Sequence, residues 1–197
     1  HHSADGVAHN QPAKLAAFEG HFDSLAVADL YLLGWVNKKD QTTTGLKIPG
    51  GLTYLLHQDF KTPVTGLNAF PEADRPPAVN AVFQFYHLMV AIGMFLIALT
   101  LFACWQWYRG KLFDRRWLLW VFVLAVLPPQ IANQAGWFAA EMGRQPWVVY
   151  GLLRTSDALS KSVTANQVLF SLIMFAVIYT LLLALFLYLL NKKIQHG

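Results

Sequence analysis

The chain has 197 residues, of which 55% are hydrophobic and only 13% charged, against roughly a quarter charged for an ordinary soluble domain, which argues against a conventional cytosolic protein. Its 15 basic and 11 acidic residues leave three intervals bare, 76–108, 117–140 and 162–191, each long enough to hold the roughly 20 apolar residues that cross a bilayer. The net charge of +4 comes from basic residues that flank apolar spans, a placement that sets nucleic-acid binding aside.

Residues 1–77 hold most of the acids and read as an extramembrane segment, too polar to enter lipid. The chain starts at His1 rather than Met, without an apolar leading stretch, and is read as a fragment or a processed piece. His1, His2, Asp5 and His9 match no standard metal-ligand spacing and read as flexible terminal residues or a tag remnant. The first predicted element is a short amphipathic helix: Asn10 caps it, Pro12 suits its first turn, and Leu15, Phe18 and Phe22 recur at helical spacing. Beyond it, residues 30–36 and 46–48 flank the polar run NKKDQTTTG and read as a β-hairpin. Pro63, Gly66, Pro71, Pro76 and Pro77 keep the chain irregular up to the first span.

Residues 78–197 read as a three-helix membrane segment with spans at about 79–108, 117–140 and 168–190. The first is apolar on every face at LMVAIGMFLIALTLFACW, with Cys104 as a small buried hydrophobe. The second carries Pro128 and Pro129, which remove backbone donors and kink it. Ser171, Tyr179 and Thr180 in the third read as helix packing or interfacial anchoring. The link RGKLFDRR and the terminal Lys192 and Lys193 place those ends in the cytoplasm by the positive-inside bias. Residues 1–77 and 141–161 then share the opposite, outer face.

Polar groups inside a membrane are costly and are functional candidates by default. In the first span His87 has an imidazole suited to haem iron, and Met89 a softer thioether. The two point about 200° apart, so one haem cannot easily use both. Gly93, one turn beyond Met89 on the same face, would let a flat macrocycle approach the backbone. In the second span Gln130, Gln134, Trp137 and Glu141 recur at spacings of 4, 3 and 4, with Asn133 beside them, and form one polar stripe. It serves either interhelical hydrogen bonding or ordered water, a redox centre or a proton relay. Arg144 can pair with Glu141 three residues before it. Lys14 and Glu19 on the short helix are either a solvated pair or an ammonium and a carboxylate offered to a quinone oxygen and a quinol hydroxyl.

At EMGRQPW, residues 141–147, preceded by AGWFAA and followed by VVYGLLRTSDALS, the chain resembles subunit I of the cytochrome bd-type quinol oxidases. QPAKLAAFEG and KTPVTGL, residues 11–20 and 61–67, resemble parts of that family's quinol loop, and HLMVAIG, residues 87–93, its low-spin haem helix. The resemblance covers essentially the whole chain but only the C-terminal half of the family's subunit. It implies an all-α membrane protein whose extramembrane segment is the quinol loop, in the inner membrane of a prokaryotic cell. It implies low-spin haem b, high-spin haem b and haem d as cofactors, and quinol and dioxygen as substrates. Carried over by position, Lys14 and Glu19 serve quinol binding and oxidation, Met89 is an axial ligand of the low-spin haem, and Glu141 ligates iron or delivers protons at the high-spin pair. Trp137 lies beside those haems, and Arg144 contacts propionates or holds Glu141.

This chain departs from the pattern at His87, where many members carry an arginine that steadies the haem, and it lacks the half that supplies the histidine ligands. The resemblance therefore implies further polypeptide: the N-terminal half of subunit I, subunit II and small single-helix subunits. Together they would oxidise quinol, reduce dioxygen to water and build a proton motive force without a pump. Two rivals are a non-catalytic scaffold or proton-conducting component, and a di-haem cytochrome b anchor, which needs more membrane histidines than His87 alone.

Overall fold

The residues ahead of position 78 are built on the first turns of the long apolar helix that follows them, and hydrogen bonds from that helix hold them there. The computed structural model describes residues 2–160 and 162–196, with side chains for 6–160 and 162–195; His1 and the side chains of His2 and Asp5 lie outside the described residues. Two units make up the chain, His1–Asp157 and Ala158–Gly197.

The first unit opens with α1, His2–Asn10, and α2, Pro12–Glu19. α1 was not expected, and Asn10 ends it instead of capping α2: its side-chain amide donates to the Gly6 carbonyl at 2.8 Å. Gln11 takes the N-cap position, with no side-chain cap bond, and the proline falls in the first turn as read. α2 stops at Gly20, in the left-handed region at φ 67°. Phe22 lies beyond the helix but is buried.

The hairpin is present as β1, Leu30–Asn37, paired antiparallel with β2, Thr42–Ile48. The strands extend into the polar run, so only residues 38–41 turn, with Gln41 at φ 52°. α3, Gly51–His57, is a helix in a stretch the sequence left unassigned; two 3-10 turns, Leu67–Ala69 and Glu72–Asp74, punctuate the proline-rich approach to the membrane.

α4, Val79–Tyr108, follows the predicted bounds. Its buried positions Val79, Val82, Phe83 and His87 form one stripe against the preceding elements α2 and β1. There Phe83, fully enclosed, joins Ala16, Ala17, Phe22, Val36 and Leu67 in one core, a burial worth about 1.5–3 kcal/mol for the phenyl group alone. A second core gathers Leu15, Ala28, Leu52, Leu56 and Val64, which is what makes α3 worth forming. Beside this stripe α4 also holds β1: Asn80 Oδ1 accepts from the Val36 amide at 3.1 Å, and Gln84 donates to the Gly34 carbonyl at 2.7 Å.

The second span does more than kink. It breaks into α5, Arg116–Leu124, and α6, Pro128–Gly143, because Pro128 and Pro129 occupy the first two positions of α6, where a missing amide costs nothing. α6 also runs past Ala140. It lays Ala135, Ala139 and Gly143, spaced by four, on its buried side. Beyond it β3, Trp147–Val149, and β4, Leu153–Arg154, form a small hairpin, anchored by an Arg154–Asp74 ion pair and by the Arg154 guanidinium 4.8 Å from the Trp147 ring.

The second unit is α7, Ala165–His196, longer than the span read from sequence. Its Ser171 and Thr180 hydroxyls donate to carbonyls one turn back, at 2.9 and 2.7 Å, so these polar atoms are satisfied within the helix itself. Among the described residues three helices are long and apolar enough to cross a membrane.

One substitution tests how α2 is seated against the hairpin. A Cβ on Gly20 would stand 2.8 Å from the Thr43 hydroxyl and 2.9 Å from a Val36 methyl, at a φ that disfavours a side chain. Gly20→Ala should cost about 1–3 kcal/mol, read as a lower midpoint of thermal inactivation of the assembled complex.

Candidate functional site

Glu19 ends α2 inside the protein, 1% exposed, with its Oε2 lacking a hydrogen-bond partner. It sits at the polar end of an apolar hollow of about 420 Å³, walled by Leu30, Tyr31, Leu32 and Leu33 of β1, Leu55 of α3, and Tyr86, His87, Val90, Ala91 and Met94 of α4. Burial lifts its carboxyl to about 8, against a smaller downward pull from a hydrogen bond with Tyr86. Burial thus favours the protonated form of this carboxyl. The hollow follows α4 for two turns, from Tyr86 to Met94, and Met94 at its far end is exposed.

His87 borders the hollow with both ring nitrogens occupied: Nδ1 lies 2.9 Å from the Phe83 carbonyl and Nε2 2.8 Å from the Tyr31 carbonyl. Whichever nitrogen carries the proton, each is turned toward a backbone carbonyl within 3 Å and away from any open position for iron. His87 thus fastens β1 to α4.

Lys14 is not in this hollow. It lies on the other side of an aromatic stack in which Phe18 and Tyr86 rings lie 4.6 Å apart and 7° from parallel, with the Lys14 ammonium 5.6 Å from the Phe18 ring. Its neighbours are Glu141 and Arg144, and burial, opposed by Glu141 and assisted by Arg144, holds its pKa below the usual lysine range. Glu141 and Arg144 form the expected ion pair at the end of α6. Beside them Gln11, Lys14, Asp74, Arg144 and Trp147 enclose a small gap, where Arg144 Nε, Trp147 Nε1 and Gln11 Oε1 are buried without partners. The two residues read together on α2 thus serve two places, and the Phe18–Tyr86 stack joins them.

Met89, half-buried on α4, occupies the space that a side chain at Gly136 of α6 would need: a Cβ there would be 2.5 Å from its sulfur. One turn on, Gly93 has open space where its side chain would be. Gln130, Asn133, Gln134 and Trp137 are all exposed, Trp137 at 59%. The polar stripe of α6 therefore faces away from α4, and only Glu141 at its end is drawn into a contact. Tyr86 was missed by sequence reading; a tyrosine at the head of an apolar span reads as an interfacial anchor, and its partner on α2 is far away in sequence.

These features define a mostly helical, multi-pass membrane protein with a buried carboxyl at an apolar hollow beside its membrane helices. The chain belongs to the cytochrome bd terminal oxidase subunit I family, whose model matches residues 1–197. The cytochrome bd ubiquinol oxidase subunit 1 of Bacillus subtilis (strain 168) is 34% identical over 207 residues, covering all of this chain and 44% of that protein. A putative cytochrome bd menaquinol oxidase subunit I of the same organism is 34% identical over 96% of this chain and 42% of its own length. The structure of bd oxidase from Geobacillus thermodenitrificans superposes with a TM-score of 0.79 at 31% identity, covering 99% of this chain and 44% of that one. The chain spans less than half the length of these relatives.

Proposed function

We propose that this chain is the part of a membrane quinol:dioxygen oxidoreductase that carries the quinol-oxidising site and one side of the oxygen-reducing site. The observation that carries the reading is Glu19: a buried carboxyl with a free oxygen, at the head of an apolar hollow, in a family whose relatives are named for quinols. A quinol head group entering the hollow meets one carboxyl and a mostly apolar wall. Its hydroxyl proton passes to Glu19 and leaves on the outer face, while protons for water come from the cytoplasm, so charge separates without a pump.

The residues fit the haem groups that the family implies. Met89 offers a soft sulfur one turn from the bare helix surface at Gly93 and would hold the low-spin haem, while both nitrogens of His87 face backbone carbonyls. Arg144 Nε and Trp147 Nε1 are buried donors without acceptors, the environment that anionic propionates suit. The low-spin haem b is assigned to Met89, and the high-spin haem b and haem d to the side of α6 that carries Trp137, Arg144 and Glu141. When bound, these groups supply one-electron transfer and dioxygen reduction. The Arg144–Glu141 pair holds a carboxylate at the end of the exposed polar stripe, and Lys14 adds positive charge beside it.

The rest of subunit I, which supplies the histidine ligands, subunit II and small single-helix subunits complete the assembly in the inner membrane of a prokaryotic cell. The quinol loop lies on the outer face and the C-terminus in the cytoplasm. The test is a reduced-minus-oxidised spectrum of the purified complex with mass spectrometry of every polypeptide. Haem b bands with red-shifted chlorin absorption, and a partner bearing the missing histidines, are expected. A folded complex without haem would return the scaffold reading to the front.

A further inference from the structure

Beside the Glu19 carboxyl the hollow contains a polar group that neither the sequence pattern nor the family resemblance singles out, the hydroxyl of Tyr86. Its ring is held from two sides. Phe18 of α2 stacks on it at 4.6 Å and 7°, and His87 of α4 meets it edge-on at 5.4 Å and 84°. His87 is itself fixed by carbonyls of α4 and β1. A tyrosine locked in this way has little freedom left except rotation of its O–H bond, and its side chain and that of Glu19 line the same hollow. Glu19 Oε2 is buried and has no hydrogen-bond partner.

We infer that Tyr86 is a positioning residue for quinol oxidation: its hydroxyl holds one oxygen of Glu19 so that the other is presented to the hydroxyl of a quinol in the hollow. The inference rests on the reading of Glu19 as the proton acceptor and adds the residue that orients it. The step served is a proton transfer alone. The quinol O–H bond breaks, an O–H bond forms on Glu19 Oε2, and no electron changes hands at the pair. By donating to the carboxylate, Tyr86 also stabilises the state that can accept the proton, working against the desolvation that burial imposes. The other titratable or charged groups nearby are His87 on α4, Tyr31 on β1, and Lys14 on the far side of the Phe18 stack.

The experiment uses the complete oxidase complex with a short-tailed quinol as substrate, and a one-electron donor that reduces the complex without quinol as control. Tyr86→Phe keeps the ring and its stack but removes the hydroxyl. Quinol kcat/KM should fall about tenfold or more, the pH profile of quinol oxidation should move to higher pH, and oxygen uptake from the one-electron donor should stay unchanged. A second variant carries 3,5-difluorotyrosine at position 86, the same shape with a stronger hydrogen-bond donor, and should move the profile to lower pH. If quinol kcat/KM is unchanged in Tyr86→Phe, or the profile stays in place with the fluorinated residue, while Glu19→Gln abolishes quinol oxidation, the role of Tyr86 is overturned and the site reading stands. If Glu19→Gln also retains quinol oxidation, the site reading falls with it.

Discussion

Glu141→Gln should reduce quinol-driven oxygen consumption by the assembled oxidase at least about a hundredfold, while anaerobic reduction of the complex by quinol, followed optically, continues. The reason lies in the charges at the end of α6. Glu141 is the carboxylate paired with Arg144 and is also the anion that sustains the charge on Lys14. The amide keeps the shape but neither accepts a proton nor compensates two cations, so Lys14 should move further below its ordinary pKa. Glu19 is separated from this cluster by the Phe18–Tyr86 stack, which is why quinol oxidation should survive. Persistent oxygen consumption at the native rate would show that Glu141 has no part in the oxygen site.

Glu19→Gln should do the reverse: quinol oxidation lost by a hundredfold or more, with the complex more stable at alkaline pH. With its carboxyl raised from 4.5 to about 8, the folded protein keeps the proton while an unfolded chain releases it. Stability therefore falls as pH rises from about 4.5 to 8, by up to about 1.4 kcal/mol per pH unit, and levels off above. Below 4.5 both states are protonated and the effect vanishes. Glutamine cannot ionise, so that slope should flatten, visible as a thermal-inactivation midpoint above that of the native protein at pH 8. Activity has the opposite dependence, because only the ionised carboxyl accepts a proton. Quinol kcat/KM should rise about tenfold per unit between pH 6 and 8 and then flatten, and this rise should disappear in the variant. A native pH profile in Glu19→Gln would remove Glu19 from the chemistry.

Some of this was legible from short-range rules. The uncharged intervals marked the three membrane helices because a charge in lipid is costly whatever surrounds the helix. The adjacent prolines marked the break before α6, since a missing amide is a local fact. Glu141 and Arg144 were paired by helical spacing alone, and the hairpin by its polar turn. α1 and α3 escaped because their own propensities are weak. α3 has seven residues, begins at a glycine, and forms because Leu52 and Leu56 enter a core with Leu15 and Val64.

What the linear order determined is therefore the membrane character of the chain and the position of its spans, and it marked out candidate residues. Only the tertiary structure decided how those residues are shared out. It turned the imidazole of His87 to a carbonyl 56 residues away, seated Met89 against Gly136, and divided Lys14 from Glu19 by a stack with Tyr86. Each depends on a partner from another element, and no local spacing encodes which side chain will be enclosed when two helices and a strand close around it. Burial of that kind raised Glu19 to a proton-holding group, a property that belongs to the hollow rather than to the glutamate.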